Sequence, residues 1–438
     1  MSRAARQRLT RTGPWYFIVK KSVLVALSLG AFASTAFAAD VAIKGSLSET
    51  LDGSNNYFLL NSPSGTTFRS LSAVNLDVLA RTPDTRLLLN TNLSYYNYFG
   101  AGAADTSPTA GVPLGTSFQL DHTTELDRYN FTMSWHRAPV ATTQLAESGV
   151  VTTQGFLDTF RTSGSITHDV SRTDSLLWSV QAIKTTFTGS TQTPYVDLSS
   201  TGGWIHQFDP RNTLTTTVTL DWFNQDDTAN SQRVFWQIMT SLRSQLSSRL
   251  TFIGSAGALS SNSYQRNPQP IISPTSFQQG GVTEGVLASA GFTYQLLKST
   301  TVSLTAAQSI VPTTLGPLQK ISTVGSTLNY TVNSWSNLSF SAQFAHISDN
   351  AFIGGASDLF SAQVSYGYRL ARDWRTNVSY TYRVRDDVTG MASSSTILAS
   401  LTYDFSLMGN PTAFDQAEQE RAMRRAQRAV GEAFPNFQ

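Results

Sequence analysis

Cysteine is absent from all 438 residues, which excludes disulfides, thiolate metal sites and the lipidated amino-terminal Cys of a lipoprotein. Charge is scarce, at 14% of the chain against about 25% in an ordinary soluble domain. Beyond the amino-terminal segment no uninterrupted run of about 20 apolar residues occurs, so a bundle of membrane-spanning helices is excluded. Metal-ligand spacing is missing too, because His122, His136, His168, His206 and His346 are scattered among strand-like segments. There is no Gly-x-Ser-x-Gly elbow, and no strand-to-helix switch follows Gly100-Ala101-Gly102 to make it a phosphate cradle. These absences predict no enzyme, no catalytic residue, no metal and no cofactor. A hydrolase assembled across strands is the enzymatic alternative that spacing leaves open.

What the chain does have is alternation. Arg375, Asn377, Ser379, Thr381, Arg383 and Arg385 interleave with Thr376, Val378, Tyr380, Tyr382 and Val384. Successive side chains of a strand point to opposite faces, so this stretch has one apolar and one wet face, and as a helix it would mix arginines into its apolar surface. Leu87, Leu89, Thr91, Leu93 and Tyr95 repeat the rhythm, as do Leu214 to Trp222 and Leu338 to Phe344. Segments 156–168, 194–206 and 320–332 carry it weakly and are assigned by position.

Eight short polar turns punctuate the rhythm: Thr82 to Thr85, Glu125 to Arg128, Ser171 to Asp174, Asp209 to Asn212, Ser247 to Arg249, Lys298 to Thr300, Asn333 to Ser336 and Arg372 to Arg375. Between them run longer connections rich in Gly, Ser, Asn, Asp and Pro. Short turns on one side and long loops on the other predict an all-β fold, an antiparallel transmembrane β-barrel. Eight hairpins plus one strand at each end give about 18 strands, with 16 to 20 as the range. They are placed at 41–50, 66–81, 86–99, 115–125, 128–138, 155–168, 175–188, 194–206, 213–225, 232–246, 249–260, 282–296, 300–310, 320–332, 336–348, 357–371, 374–386 and 394–407. The last, with Ile397, Ala399, Leu401, Tyr403 and Phe405 outward, has the aromatic ending that barrel assembly machinery recognises.

The amino terminus supplies an address. Arg3, Arg6, Arg8, Arg11, Lys20 and Lys21 precede a short apolar core from Ser22 to Leu29 and then Ala36-Phe37-Ala38, the pattern of a secretory signal peptide over 1–39. Its removal takes six basic residues and no acid, leaving 25 basic against 29 acidic side chains and turning a net charge of +2 into about −4. Nucleic-acid binding loses its electrostatic motive. An even strand count predicts a barrel over 40–407 in the bacterial outer membrane with both termini periplasmic, in contact with outer-membrane lipid and lipopolysaccharide.

A barrel of this size encloses water. Arg233, Arg243, Arg375, Arg383 and Arg385 are candidate lumen and selectivity residues, because arginine ladders favour anions. Asp77, Asp121 and Asp221, with Glu125 and Asp404, answer them and leave a transverse field equally open. So does simple pairing of the arginines with loop acids such as Asp386 and Asp387. Trp204, Trp335 and Trp374 near turns, and Trp222 and Tyr95 near the opposite rim, are candidates for the two aromatic girdles. Gly100 to Leu114, Ala138 to Gln154 and Ser261 to Gly281 are long enough either to constrict the pore or to lie on the surface. After Phe405 the pattern changes: residues 408–438 form a tail whose 411–438 stretch reads as a helix. It enters the lumen, docks a periplasmic partner or lies free in the periplasm.

Through Ser48-Glu49-Thr50 to Asn55-Asn56-Tyr57-Phe58, and turns such as Ser171-Arg172-Thr173-Asp174-Ser175, the barrel region loosely resembles outer-membrane proteins found with exopolysaccharide export systems. The tail after Phe405 has no counterpart in that pattern. The resemblance implies a passage or anchoring role in polysaccharide secretion. The residues themselves predict a porin-like channel for small solutes or secreted polysaccharide. A non-conducting adhesin, receptor or anchor is the alternative.

Overall fold

The computed structural model describes residues 40–105, 109–149, 151, 153–226, 231–265, 282–312, 318–350 and 355–408. The leader 1–39, the tail 409–438 and the Pro-rich part of the Ser261–Gly281 connection lie outside them. The strands in chain order are β1 (Asp40–Ser54), β2 (Thr67–Arg81), β3 (Thr85–Phe99), β4 (Leu114–Thr123), β5 (Asp127–Pro139), β6 (Phe156–Asp169), β7 (Asp174–Thr188), β8 (Tyr195–Asp209) and β9 (Asn212–Gln225). They continue with β10 (Ser231–Gln245), β11 (Leu250–Gln265), β12 (Val282–Leu297), β13 (Thr300–Pro312), β14 (Leu318–Asn333), β15 (Ser336–Asn350), β16 (Gly355–Arg369), β17 (Trp374–Asp387) and β18 (Gly390–Met408). Each pairs with the next, and β18 pairs antiparallel with β1, Glu49 opposite Leu401. The sheet is therefore a closed barrel of eighteen strands with no free edge. Ala110–Gly111 extends the line of β4 by pairing with Tyr96 and Asn97 of β3.

All eight expected turns fall between strands, and the three weak segments are the full strands β6, β8 and β14. Local chemistry explains the tightness of the turns. At Asp209-Pro210-Arg211-Asn212 the proline presets the bend, and the Asp209 carboxylate accepts the amides of Arg211 and Asn212 at 2.7 and 3.0 Å. Ser171 Oγ does the same for Thr173 and Asp174 at 3.1 and 3.0 Å.

The faces segregate with period two. Large apolar side chains stand exposed on the outside: Leu304 is 52% exposed and Val324 59%, as are Val378 and Tyr380 beside them in kind. The inside is rich in hydroxyls that pair across strands, namely Thr132 with Ser163 (2.6 Å), Thr201 with Thr219 (2.9 Å) and Ser339 with Ser365 (2.7 Å). Ser255 and Ser289 make a fourth such pair. Apolar burial occurs inside as well, in small clusters such as Ala42, Leu79 and Leu88 on β1 to β3.

Two described elements depart from the β pattern, a 3-10 helix at Ala101–Asp105 and a longer helix. Val140–Ser148 forms a helix, α1, at the loop end of β5. Gly149 ends it in the left-handed region at φ 71°, its amide returning to Leu145 O at 3.1 Å. The sequence pattern predicts only a loop there.

Candidate functional site, the lumen and its loop-side mouth

The site starts from β1 to β3. On β3, Tyr96 and Tyr98 turn inward and are buried, and with Phe58 and Ala141 they make an apolar floor. Leu145 of α1 and Tyr57 and Leu60 of the β1–β2 loop pack against it. Gln144 is fully buried at 0% exposure, with its Oε1 accepting the Thr153 amide at 3.2 Å. The described part of the Ala138–Gln154 connection is thus folded onto the inner wall. Ala103 of the Gly100–Leu114 connection joins the same cluster.

Polar anchors hold these loops. Arg69 of β2 donates to Asp52 of β1 at 2.9 Å and lies 5.4 Å from the centre of the Tyr57 ring, a cation–π distance. Burial holds the Tyr57 phenol well above its ordinary range. The Asn56 side chain spans its own loop, taking the Leu60 amide at 2.8 Å and donating to Ser393 O of β18 at 3.1 Å. From β17, Arg385 donates to Gly149 O at 3.1 Å and to Asn61 Oδ1 at 2.8 Å. Its Nε is 2.7 Å from Asp387 Oδ2, and both side chains are buried. Arg385 therefore joins α1, the β1–β2 loop and β17 at one point.

The other candidates fall in several environments. Arg375 pairs with Asp404 at 2.7 Å at the turn end of β17. Arg383 lies between Arg375 and Arg385 on the same inner face. Arg233 is buried near the loop end of β10, and Arg243 stands exposed near its turn end. Asp77 accepts from Asn90, and Asp121 accepts from Gln119 and Asn130 at 2.9 and 2.7 Å. Asp221 lies opposite Ser199 of β8 and Phe235 of β10, with Asp197 and Arg233 each two residues further along on the same face. Trp204, Trp335 and Trp374 are exposed near the turn end, and Trp222 and Tyr95 on the outer face near the loop end. Trp204 Nε1 donates to Asp174 at 3.1 Å, and Trp374 packs on Tyr403 with ring centres 4.9 Å apart. His168 and His206 each pair with a turn aspartate, Asp127 and Asp174, at 2.8 Å.

Helices and one arginine went unseen in the sequence. The helices are α1 and the 3-10 turn at Ala101–Asp105. The arginine is Arg369, which faces Arg375 directly across β16 and β17; its odd-numbered register on β16 was the available signal.

No family model and no curated protein matches the chain. Among solved structures, a BenF-like porin from Pseudomonas fluorescens Pf-5 is similar at 10% identity and a TM-score of 0.47, over 84% of this chain and 99% of that one. Pseudomonas aeruginosa OccK2 is similar at 11% identity and 0.47, over 84% and 99%. The Ferric-Catecholate import receptor Fiu from E. coli K12 is similar at 11% identity and 0.45, over 84% and 82%. Likenesses at this level assign neither a family nor a cargo.

Proposed function

We propose that the protein is a porin-like channel of the bacterial outer membrane that passes small polar solutes. The observation that carries this reading is the inverted polarity of a closed barrel: an apolar exterior suited to lipid around an interior of hydroxyls and charges suited to water. All eighteen strands have at least 10 residues, and about 9 to 11 tilted residues cross a membrane. The aromatics near both ends fit two interfaces with lipid headgroups. In this orientation the leader 1–39 directs secretion, the eight short turns and both termini are periplasmic, and α1 with the β1–β2 loop narrows the outer mouth. Arg383 lies on the lumen wall as the leading selectivity residue. Passage of secreted polysaccharide, the cargo implied by the resemblance at 48–58, is a narrower form of this reading. Anchoring of a periplasmic partner through 411–438 is a separate one.

Single-channel recording of the mature chain in planar bilayers tests the proposal. Discrete conductance steps are expected. Silence from folded, inserted protein would shift the reading to adhesion or anchoring.

A further inference from the structure

Four arginines lie on the inner face of β16 and β17, and they divide into two kinds. Arg385 is matched by Asp387, and Arg375 by Asp404. Asp52, which lines the cavity near the mouth, is already engaged by Arg69. Among the described residues, neither Arg383 nor Arg369 forms an ion pair or hydrogen bond.

Each unmatched guanidinium borders a cavity. Near the mouth, a space of about 550 Å³ is bounded by Arg383, Gln343, Ser361, Gln363, Thr381 and Thr396, with Tyr57 and Leu145 closing its loop side. At the turn end, a space of about 470 Å³ is bounded by Arg369, Asn337, Asn377, Ser400 and Thr402. Gly367 shapes the second one: a Cβ there would come within 2.5 Å of Asn337 Oδ1, so glycine keeps the amide in place. Arg369 directly opposite Arg375 is a like-charge cross-strand pair, an arrangement that costs stability in a sheet.

We infer that these two cavities are successive binding stations, on one wall of the lumen, for a small hydroxylated carboxylate. The inference deepens the channel reading and rests on it for its direction of travel. A guanidinium presents a planar fork that matches a carboxylate. Hydroxyls and amides on both walls satisfy alcohols, while the other charged groups there are already matched, Asp52 with Arg69 in the outer cavity and Arg375 with Asp404 at the turn-end one. The β1–β2 loop and α1 cover the outer cavity on one side, which sets a small free solute as the occupant. Thr381 and Ser379 of the outer cavity and Asn377 of the turn-end cavity are successive inner-face residues of β17, a line of short polar side chains along which the solute exchanges one guanidinium for the next.

The test is calorimetric titration of the mature, detergent-solubilised barrel with gluconate, set against sorbitol, which lacks the carboxylate, and acetate, which lacks the alcohols. Gluconate is expected to bind at two sites, at least tenfold more tightly than either comparator. Arg383→Gln removes one site and Arg369→Gln the other, each leaving its partner site intact. Gly367→Ala weakens only the turn-end site, while Ser289→Ala on β12, which lines neither cavity, changes neither. Equal binding of gluconate and sorbitol, or two sites surviving both arginine variants, overturns the inference. Gluconate binding without conductance in bilayers would leave the stations standing and remove the channel; conductance without gluconate binding would do the reverse.

Discussion

The lumen has two unlike arcs. From β11 to β15 the inner face is uncharged among the described side chains and rich in short hydroxyls, which pair across strands: Ser255 with Ser289, Thr293 with Ser303, and Ser339 with Ser365 of the next strand. From β16 through β18 and β1 to β10 the wall carries charge, including Arg369, Arg375, Arg383, Arg385, Asp387, Asp404, Arg69, Asp77, Asp121, Asp221 and Arg233. This second arc also carries the inward loops. The difference shows two ways of making a wet interior. Paired hydroxyls hydrate a wall without creating a field. Charges create a field and give the loops polar anchors, because a buried guanidinium can bind several carbonyl and amide oxygens at once.

Breaking the charged arc should do the most damage. Arg385→Ala leaves Asp387, whose side chain is 0% exposed, without its cation inside the wall. Loss of one partner from a buried pair costs about 3–5 kcal/mol, so denaturant unfolding in lipid vesicles should show a loss of that order. Release of α1 should also enlarge the conductance step. Asp52→Asn removes a charge-assisted bond to Arg69 and should cost about 1.5–3 kcal/mol in the same assay. It also frees a second cation at the mouth and should raise anion preference.

Smaller effects sharpen the contrast. Arg383→Ala should leave folding intact and reduce the anion-to-cation permeability ratio by about fivefold. That corresponds to about 1 kcal/mol for one unit charge at 4 Å in water, read from the reversal potential in a salt gradient. In the hydroxyl arc, Ser255→Ala with Ser289→Ala removes one cross-strand pair. It should cost only about 0.2–1 kcal/mol and leave the reversal potential unmoved.

The barrel was legible because its strands obey one rule at every position. On β17 the alternation of Arg383 with Tyr382 and Val384 assigns both faces without knowledge of any neighbour. The turns were legible because residues such as Asp209 and Ser171 act on amides two and three positions away. The mouth was not. Val140-Ala141-Thr142-Thr143-Gln144 has β-branched residues and no cap at its start; Pro139 makes no side-chain hydrogen bond to the helix. Its helix depends on burial of Ala141 and Leu145 against Tyr96 and Tyr98, residues about 45 positions earlier in the chain. Arg383 and Arg385 likewise look equivalent in sequence, two residues apart on one face. They differ because Gly149 O and Asn61 Oδ1 meet only the second, and those partners arrive from loops more than 200 residues away.

The absence of cysteine permits a direct test of the central claim, that a water-filled lumen is lined by one charged and one neutral arc. Single cysteines would be placed at Thr381 and Ser289 inside the barrel and at Tyr382 on its outer face. The current would then be followed during exposure to anionic and cationic methanethiosulfonates. Block is expected at both inner positions and none at Tyr382→Cys, with the anionic reagent faster at Thr381→Cys and the two reagents similar at Ser289→Cys. Block at Tyr382→Cys, or no difference between reagents at Thr381→Cys, would contradict it.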